Sequence, residues 1–114
     1  MKEQTIEKPK ILGDISAVTT TLVDYQEGSI ARHEIMKESN GSVTLFAFAE
    51  GQCLSEHKAP FDVLLQVIEG EAEITVAGQP HFIKSGEMVL IPAHYLHEVK
   101  AWKQFKMILT KIKP

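Results

Sequence analysis

Residues 51–70 read GQCLSEHKAPFDVLLQVIEG, and the fold prediction starts from this stretch. Gly51 and Gly70 bracket a single histidine, His57, and an apolar run over 63–68 that only Gln66 interrupts. A short apolar run between turn residues is typical of a buried strand. Because this run is apolar on both faces, we expect one face in the core and the other against a sheet or a second subunit. The second face predicts a homodimer.

The rest of the chain carries the same strand signals. Short runs rich in Val, Ile, Thr and Phe predict strands at 19–23, 30–36, 42–49, 63–68, 71–76, 88–91, 97–102 and 105–112. Turn residues separate most of these runs, and no segment has the period of an amphipathic helix. Regularly spaced short strands of this kind predict an all-β sandwich or barrel and argue against βαβ units.

Composition sets the broad class of the protein. The chain has 114 residues, of which 44% are hydrophobic and 24% charged, as in one compact globular domain. We expect that domain at 11–114, after a partly mobile leader at 1–10. The leader lacks the apolar run of a secretory signal, and no apolar stretch approaches the roughly 20 residues of a spanning helix. These features predict a cytoplasmic protein without a membrane partner.

Charge and cysteine content exclude further classes. The net charge is -3, with acidic and basic residues interspersed, so no basic stripe is available for phosphate groups and a nucleic-acid partner is disfavoured. The single cysteine, Cys53, excludes an intramolecular disulfide.

The five histidines are the main candidates for chemistry, at positions 33, 57, 81, 94 and 97. A lone histidine is weak support for a site, so we interpret His33 and His81 as ordinary strand or surface residues. His57 and His97 lie in more suggestive surroundings, the first in the opening stretch and the second after GEMVLIPAHYL.

Two segments of the chain resemble the two motifs of the cupin family. The first motif is matched by Gly51, His57, Pro60 and Gly70, and the second by Gly86, Pro92 and His97. The resemblance extends over roughly 43–112. It implies a small single-domain antiparallel jelly-roll β-barrel whose interior holds a metal bound by three histidines and one glutamate.

Carried over residue by residue, the resemblance implies an incomplete set of metal ligands. His57 and His97 occupy two of the histidine positions of the motifs. Ala59 stands at the remaining histidine position and Val63 at the glutamate position, so two donors are missing. In the second motif, His94 stands where the family has a glycine.

One interpretation is a metal-free binding pocket. In an extended strand, positions 57, 59 and 63 share a face with Leu65, while position 97 shares a face with Val99. The interior is then an apolar cup for a small organic molecule, with His57 and His97 at its floor, where they hydrogen-bond the ligand or act as acid and base. The expected wall residues are Leu65, Val67, Val99, Met107 and Leu109.

The alternative is a metal-dependent enzyme, such as a dioxygenase, isomerase or lyase. Zn, Fe, Mn, Ni or Cu would then be bound by His57, His97 and an atypical third donor. Cys53 is the best soft donor, although a small buried core residue is the favoured interpretation of a free cysteine. Three further candidates have the wrong strand parity, namely Asp62, Gln66 and Glu98.

His94 has two interpretations of similar weight. A residue at the glycine position of this turn is expected to need a positive φ, which histidine tolerates better than most residues. It is either a turn residue only or, beside Tyr95, a ligand or base at the rim of the pocket. The functional classes left open are therefore a small-molecule binding module, a metal-dependent enzyme and a scaffold without a site of its own.

Overall fold

The structure, a computed structural model, describes residues 16–114 and consists almost entirely of antiparallel strands. The predicted leader at 1–10 lies outside the described residues. The strands are β1 Ile30–Glu38, β2 Gly41–Phe48, β3 Cys53–His57, β4 Asp62–Glu69, β5 Glu71–Val76, β6 Gln79–Lys84, β7 Met88–Ile91, β8 His97–Lys100 and β9 Phe105–Ile112. The all-β prediction is confirmed. In residues 16–114 no helix is long and apolar enough to cross a membrane.

The strands form two sheets that face each other. The large sheet has the strand order β1-β2-β9-β4-β7, and the small sheet has the order β3-β8-β5-β6. Every pairing between neighbouring strands is antiparallel. Sequence neighbours are often not spatial neighbours, since β9 lies between β2 and β4, and β8 lies between β3 and β5.

The core lies between the inner faces of the two sheets. In β4, Val63, Leu65 and Val67 are buried, while Leu64 and Gln66 on the other face are only partly buried. This alternation follows the two-residue period of a strand. Phe48 and Phe105 are cross-strand partners at one end of β2 and β9, and they stack in the core with ring centroids 4.6 Å apart. The inward parity predicted for β4 and β8 is confirmed by the alternating burial of these two strands, whereas burial along β9 does not alternate.

A second apolar cluster lies on the outer face of the large sheet, beneath residues 17–25. Leu22 and Val23 are buried there against Leu45 and Ala47. The strand predicted at 19–23 is wrong, because residues 19–21 form a short 3-10 helix. The Thr21 hydroxyl donates to the Val18 carbonyl at 2.6 Å, a local bond of the kind by which threonine side chains compete with strand pairing.

A buried lysine holds this segment against the sheet. Lys106 Nζ donates to the Thr20 carbonyl at 2.6 Å and lies 4.9 Å from the centre of the Tyr25 ring. The Tyr25 hydroxyl donates to Glu69 at 2.5 Å. Burial, and then the bond to Glu69, raises the pKa of Tyr25 well above its usual range, so the phenol keeps its proton at neutral pH.

Two strands, β3 and β6, were not predicted from the sequence. Strand β3 has the sequence CLSEH and is mostly exposed, so it has no apolar run to reveal it. Strand β6 begins directly after the turn Ala77–Gly78, whose residues both have positive φ, as in a two-residue hairpin. Pro80 is tolerated because β6 is an edge strand of the small sheet.

The outer face of β4 and β7 carries exposed apolar side chains. Leu90 and Met88 are more than half exposed on β7, and Leu64 of β4 is the cross-strand partner of Leu90. Apolar side chains in this position are consistent with the second face predicted for the 63–68 run. The homodimer stays a prediction.

Candidate functional site

The two family motifs meet at one end of the two sheets. Strand β3 ends at His57 and β4 begins at Asp62, while β7 ends at Ile91 and β8 begins at His97. Both connections pass from one sheet to the other, at the end where Val63 pairs with Ile91. We call this end, with the loops 58–61 and 92–96, the barrel mouth.

Two hydrogen bonds fasten the loops of the barrel mouth to each other. The Ala93 amide donates to the Asp62 carboxylate at 2.9 Å, and the His94 amide donates to the Ala59 carbonyl at 2.8 Å. Asp62 therefore positions the second loop, a role that its strand parity did not reveal in the sequence. The only sequence signal for this role of Asp62 is its position directly after a loop that contains a proline.

His57 and His97 lie side by side at the barrel mouth. They are cross-strand partners in the β3–β8 pair, and their ring centroids are 4.3 Å apart with an angle of 59° between the ring planes. His97 is 6% exposed, whereas His57 is exposed. The pair therefore has one ring set into the protein and one ring at the surface.

Backbone carbonyls fix the orientation and tautomer of both rings. Nδ1 of His57 lies 2.8 Å from the carbonyl of Ser55, and Nδ1 of His97 lies 3.0 Å from the carbonyl of Tyr95. A carbonyl oxygen only accepts hydrogen bonds, so each Nδ1 must carry the hydrogen. In its neutral form each ring then has its acceptor lone pair on Nε2, because the backbone carbonyl bonded to Nδ1 selects this tautomer.

The surroundings of His97 favour its neutral form. Burial lowers the pKa of His97 below its ordinary value; the bond to the Tyr95 carbonyl opposes this shift, and the charge of His57 adds to it. At neutral pH, His97 therefore presents an acceptor and not a cation. A ligand that approaches Nε2 must bring a hydrogen-bond donor or an electron-pair acceptor.

The predicted wall residues lie beneath the histidines as tightly packed core. Val63, Leu65, Val99 and Met107 are at most 3% exposed and belong to one apolar cluster. Ala59 is partly buried in the loop 58–61, so positions 57, 59 and 63 do not share one continuous strand as expected. The expected wall residues are therefore closed to solvent, and a pocket lined by them stays a prediction.

His94 and Cys53, the two further candidate ligands, are both exposed. His94 is exposed and has φ 70°, which confirms the positive φ expected at the glycine position of the turn. Cys53 is exposed, so its interpretation as a small buried core residue is wrong. Its Cα partner is Lys100, and it lies at the start of the edge strand β3, whose exposure the sequence did not reveal.

The residues at the barrel mouth do not fit the metal cage that the resemblance implies. Across residues 16–114, no group of three or more His, Cys, Asp or Glu side chains is placed to hold a metal ion. His57 and His97 offer two nitrogen donors, while Ala59 and Val63 offer none. Zinc sites usually use three or four protein ligands, and iron oxygenases add a carboxylate to two histidines.

Acid is expected to destabilise the protein through His97. Folding lowers the pKa of His97, so the unfolded chain binds more protons than the native chain as the pH decreases through about 6.5. The free energy of unfolding therefore decreases as the pH decreases over this range. Melting temperatures between about pH 7.5 and 5 should decrease in the wild type and decrease less in His97→Gln. His81→Gln, at an exposed histidine, is the control, and an equal decrease in the wild type and His97→Gln would contradict the assignment.

Comparison with known proteins agrees with the fold and leaves the function open. A family model described as "Cupin domain" matches residues 44–110. An uncharacterized protein from Aquifex aeolicus is 24% identical over 108 residues, which cover 93% of this chain and 86% of that protein. Its name assigns no activity.

Two solved structures share the architecture. A conserved protein of unknown function from Streptococcus pyogenes has a TM-score of 0.85 at 23% identity, with 94% of each chain covered. A cupin 2 conserved barrel domain protein from Leptotrichia buccalis has a TM-score of 0.82 at 37% identity, covering 89% of this chain and 50% of that one. The predicted jelly-roll arrangement is therefore confirmed.

Proposed function

The chain belongs to the cupin domain family, and we propose that it binds a small organic molecule at the barrel mouth through His57 and His97. The observation that carries this proposal is the paired orientation of the two rings, each with Nδ1 on a backbone carbonyl and Nε2 left as an acceptor. A scaffold would not need this orientation. Because the two Nε2 atoms are neighbouring acceptors, they suit a ligand with adjacent hydroxyl or N–H donors.

The surroundings of the pair support a ligand with an apolar part. Leu54, Phe61 and Val76 are partly buried and pack against the core cluster near this end of the sheets. Val76 is the cross-strand partner of His97, and Phe61 lies in the loop that follows His57. Ligand sites commonly combine an apolar lining with a few placed polar groups, which is the composition found here.

The metal-dependent alternative has weaker support in this chain. Its one favourable observation is that both Nε2 atoms are free of bonds to the described residues. Because further protein donors are lacking in residues 16–114, we derive no catalytic step through a metal. The binding proposal needs only the two rings that are present.

A ligand screen by thermal shift tests the proposal. A molecule with adjacent hydroxyl or N–H donors, present at about 100 times its Kd, should stabilise the wild type by about 2.7 kcal/mol. Single His57→Ala and His97→Ala variants should lose most of this stabilisation, because each removes one Nε2 acceptor. His81→Ala is the matched control and should keep the full shift.

Two outcomes would contradict the binding proposal. One is a ligand that stabilises the double variant His57→Ala and His97→Ala as strongly as the wild type. The other is the absence of any stabilising ligand in a library of small polyols, enols and amides. Circular dichroism should first show that the variants retain the β-sheet spectrum.

A further inference from the structure

A cavity opens on the outer face of the small sheet. Its volume is about 790 Å³, within the range of small-molecule sites. It includes the turn between β4 and β5 and the loop between β8 and β9, so it lies at the end of the sheets opposite the barrel mouth. We call it the outer cavity. Its lining includes Glu71, Glu73, Phe82, Lys84, Trp102 and Lys103.

Two large aromatic side chains of the outer cavity are left open to solvent. Phe82 is 58% exposed and Trp102 is 59% exposed. Single exposed apolar side chains are common, but two aromatic rings on the wall of one cavity form a patch of the kind found at binding sites. Among the described residues, no ring contact joins Phe82 to Trp102, so the space between them is not closed by stacking.

Strand register places a carboxylate between these two rings. Glu73 has Phe82 as its Cα partner on one side and Lys100 on the other, so the three side chains share the outer face. Trp102 follows Lys100 by two positions and donates from its indole N–H to the Glu73 carboxylate at 2.7 Å. Lys100 Nζ lies 4.1 Å from the centre of the indole ring. These two contacts fix the indole before any ligand arrives.

The charges at the rim restrict the class of ligand. Glu73 keeps one carboxylate oxygen free of the indole, and Glu71 adds a second carboxylate on the same face of β5. Lys84 is the Cα partner of Glu71, and Lys103 lies in the loop after Trp102. The cavity thus combines two aromatic walls with hydrogen-bond acceptors and two cationic groups.

We propose that the outer cavity binds a planar heteroaromatic ring with N–H donors along its edge and an anionic substituent, the chemistry of a guanine nucleotide. The ring stacks on Phe82 and Trp102, since every base offers a π-face to an aromatic side chain. The free carboxylate oxygens accept from the N–H groups of the ring edge. Lys84 and Lys103 contact the phosphate. This site is independent of the barrel mouth.

The protein contains one tryptophan and two tyrosines, so emission excited at the red edge, where only tryptophan absorbs, reports on the outer cavity alone. Titration of the full chain with guanosine monophosphate should change the Trp102 emission saturably. Phe82→Ala should weaken this binding about tenfold, since base stacking on one aromatic side chain contributes an effect of that size. Leu90→Ala removes an exposed apolar side chain from the large sheet and should leave the affinity unchanged.

Related ligands test each part of the recognition. Adenosine monophosphate lacks the paired N–H donors of guanine and should bind more weakly, as should guanosine, which lacks the phosphate. Equal affinity for the two nucleotides would overturn recognition by the carboxylates, and equal affinity for guanosine would overturn the role of the lysines. Glu73→Gln should reduce the preference for guanine over adenine.

Two results would overturn the site as a whole. One is a Trp102 emission that does not respond to any of these ligands at millimolar concentration. The other is an emission that changes when the protein alone is diluted, because a second copy of the chain would then cover the cavity. Calorimetric titration of the wild type with guanosine monophosphate checks the binding without the fluorescent reporter and should give the same affinity as the emission.

Discussion

Replacing Phe105 with alanine is expected to lower the free energy of unfolding by about 3–5 kcal/mol, the largest effect of any substitution considered. Phe105 is fully buried and stacks on Phe48 between the two sheets. Removing its ring takes away buried apolar surface and leaves a cavity that the rigid strands on either side cannot fill. Urea unfolding followed by circular dichroism measures the change.

Phe82→Ala is the matched control for this loss. The same side chain is removed, but from a position that is more than half exposed, so the free energy of unfolding should change by no more than about 0.5 kcal/mol. Similar losses in Phe82→Ala and Phe105→Ala would contradict the placement of the core between the inner faces of the sheets.

The second large effect is expected at Gly70, in the turn between β4 and β5. Its φ is +81°, and an added Cβ would lie 2.7 Å from the Gln104 carbonyl oxygen and 2.9 Å from Phe105 Cβ. The left-handed conformation costs alanine about 1–2 kcal/mol, and forced overpacking adds about 1–3 kcal/mol. Gly70→Ala should therefore lower the free energy of unfolding by roughly 2–5 kcal/mol.

Gly28→Ala separates the two contributions at Gly70. Gly28 has φ +72°, yet nothing lies within 4 Å of an added Cβ, so only the conformational cost of about 1–2 kcal/mol applies. Urea midpoints of the two variants, compared at an unchanged m-value, give the difference. Equal losses would show that the turn after β4 shifts freely and that the close approach to the loop before β9 has no consequence.

The strands that could be predicted from the sequence are those in which burial restricts the residue type. The inner positions of β4 are Val63, Leu65 and Val67, and their pattern follows from their contact with the core. Strand β3 and strand β6 lie at the two edges of the small sheet and are mostly exposed, so selection for apolar side chains is absent there. Their existence depends on backbone pairing, which side-chain patterns do not record.

The candidate site was predictable only in its residue types. The family motifs selected His57 and His97, but residue types alone did not reveal that the side chains beneath them are closed to solvent. Whether Val63 and Met107 line a cavity or pack against other side chains depends on the distance between the sheets, which single-residue parity does not determine. The hydrogen on each Nδ1 likewise depends on carbonyls that only the folded backbone aligns.

The strand order has a further consequence, which concerns the order in which the molecule assembles. His57 and His97 are brought together by the β3–β8 pair, although β4 to β7 intervene in the sequence and β4 and β7 belong to the opposite sheet. A pairing of this kind closes a long loop, so the chain loses conformational entropy before the contacts between the two strands stabilise it. The unfolded chain therefore has two separate imidazoles, and the paired site exists only once β3 and β8 have paired in the small sheet. Nonlocal pairing of this type is associated with slow folding.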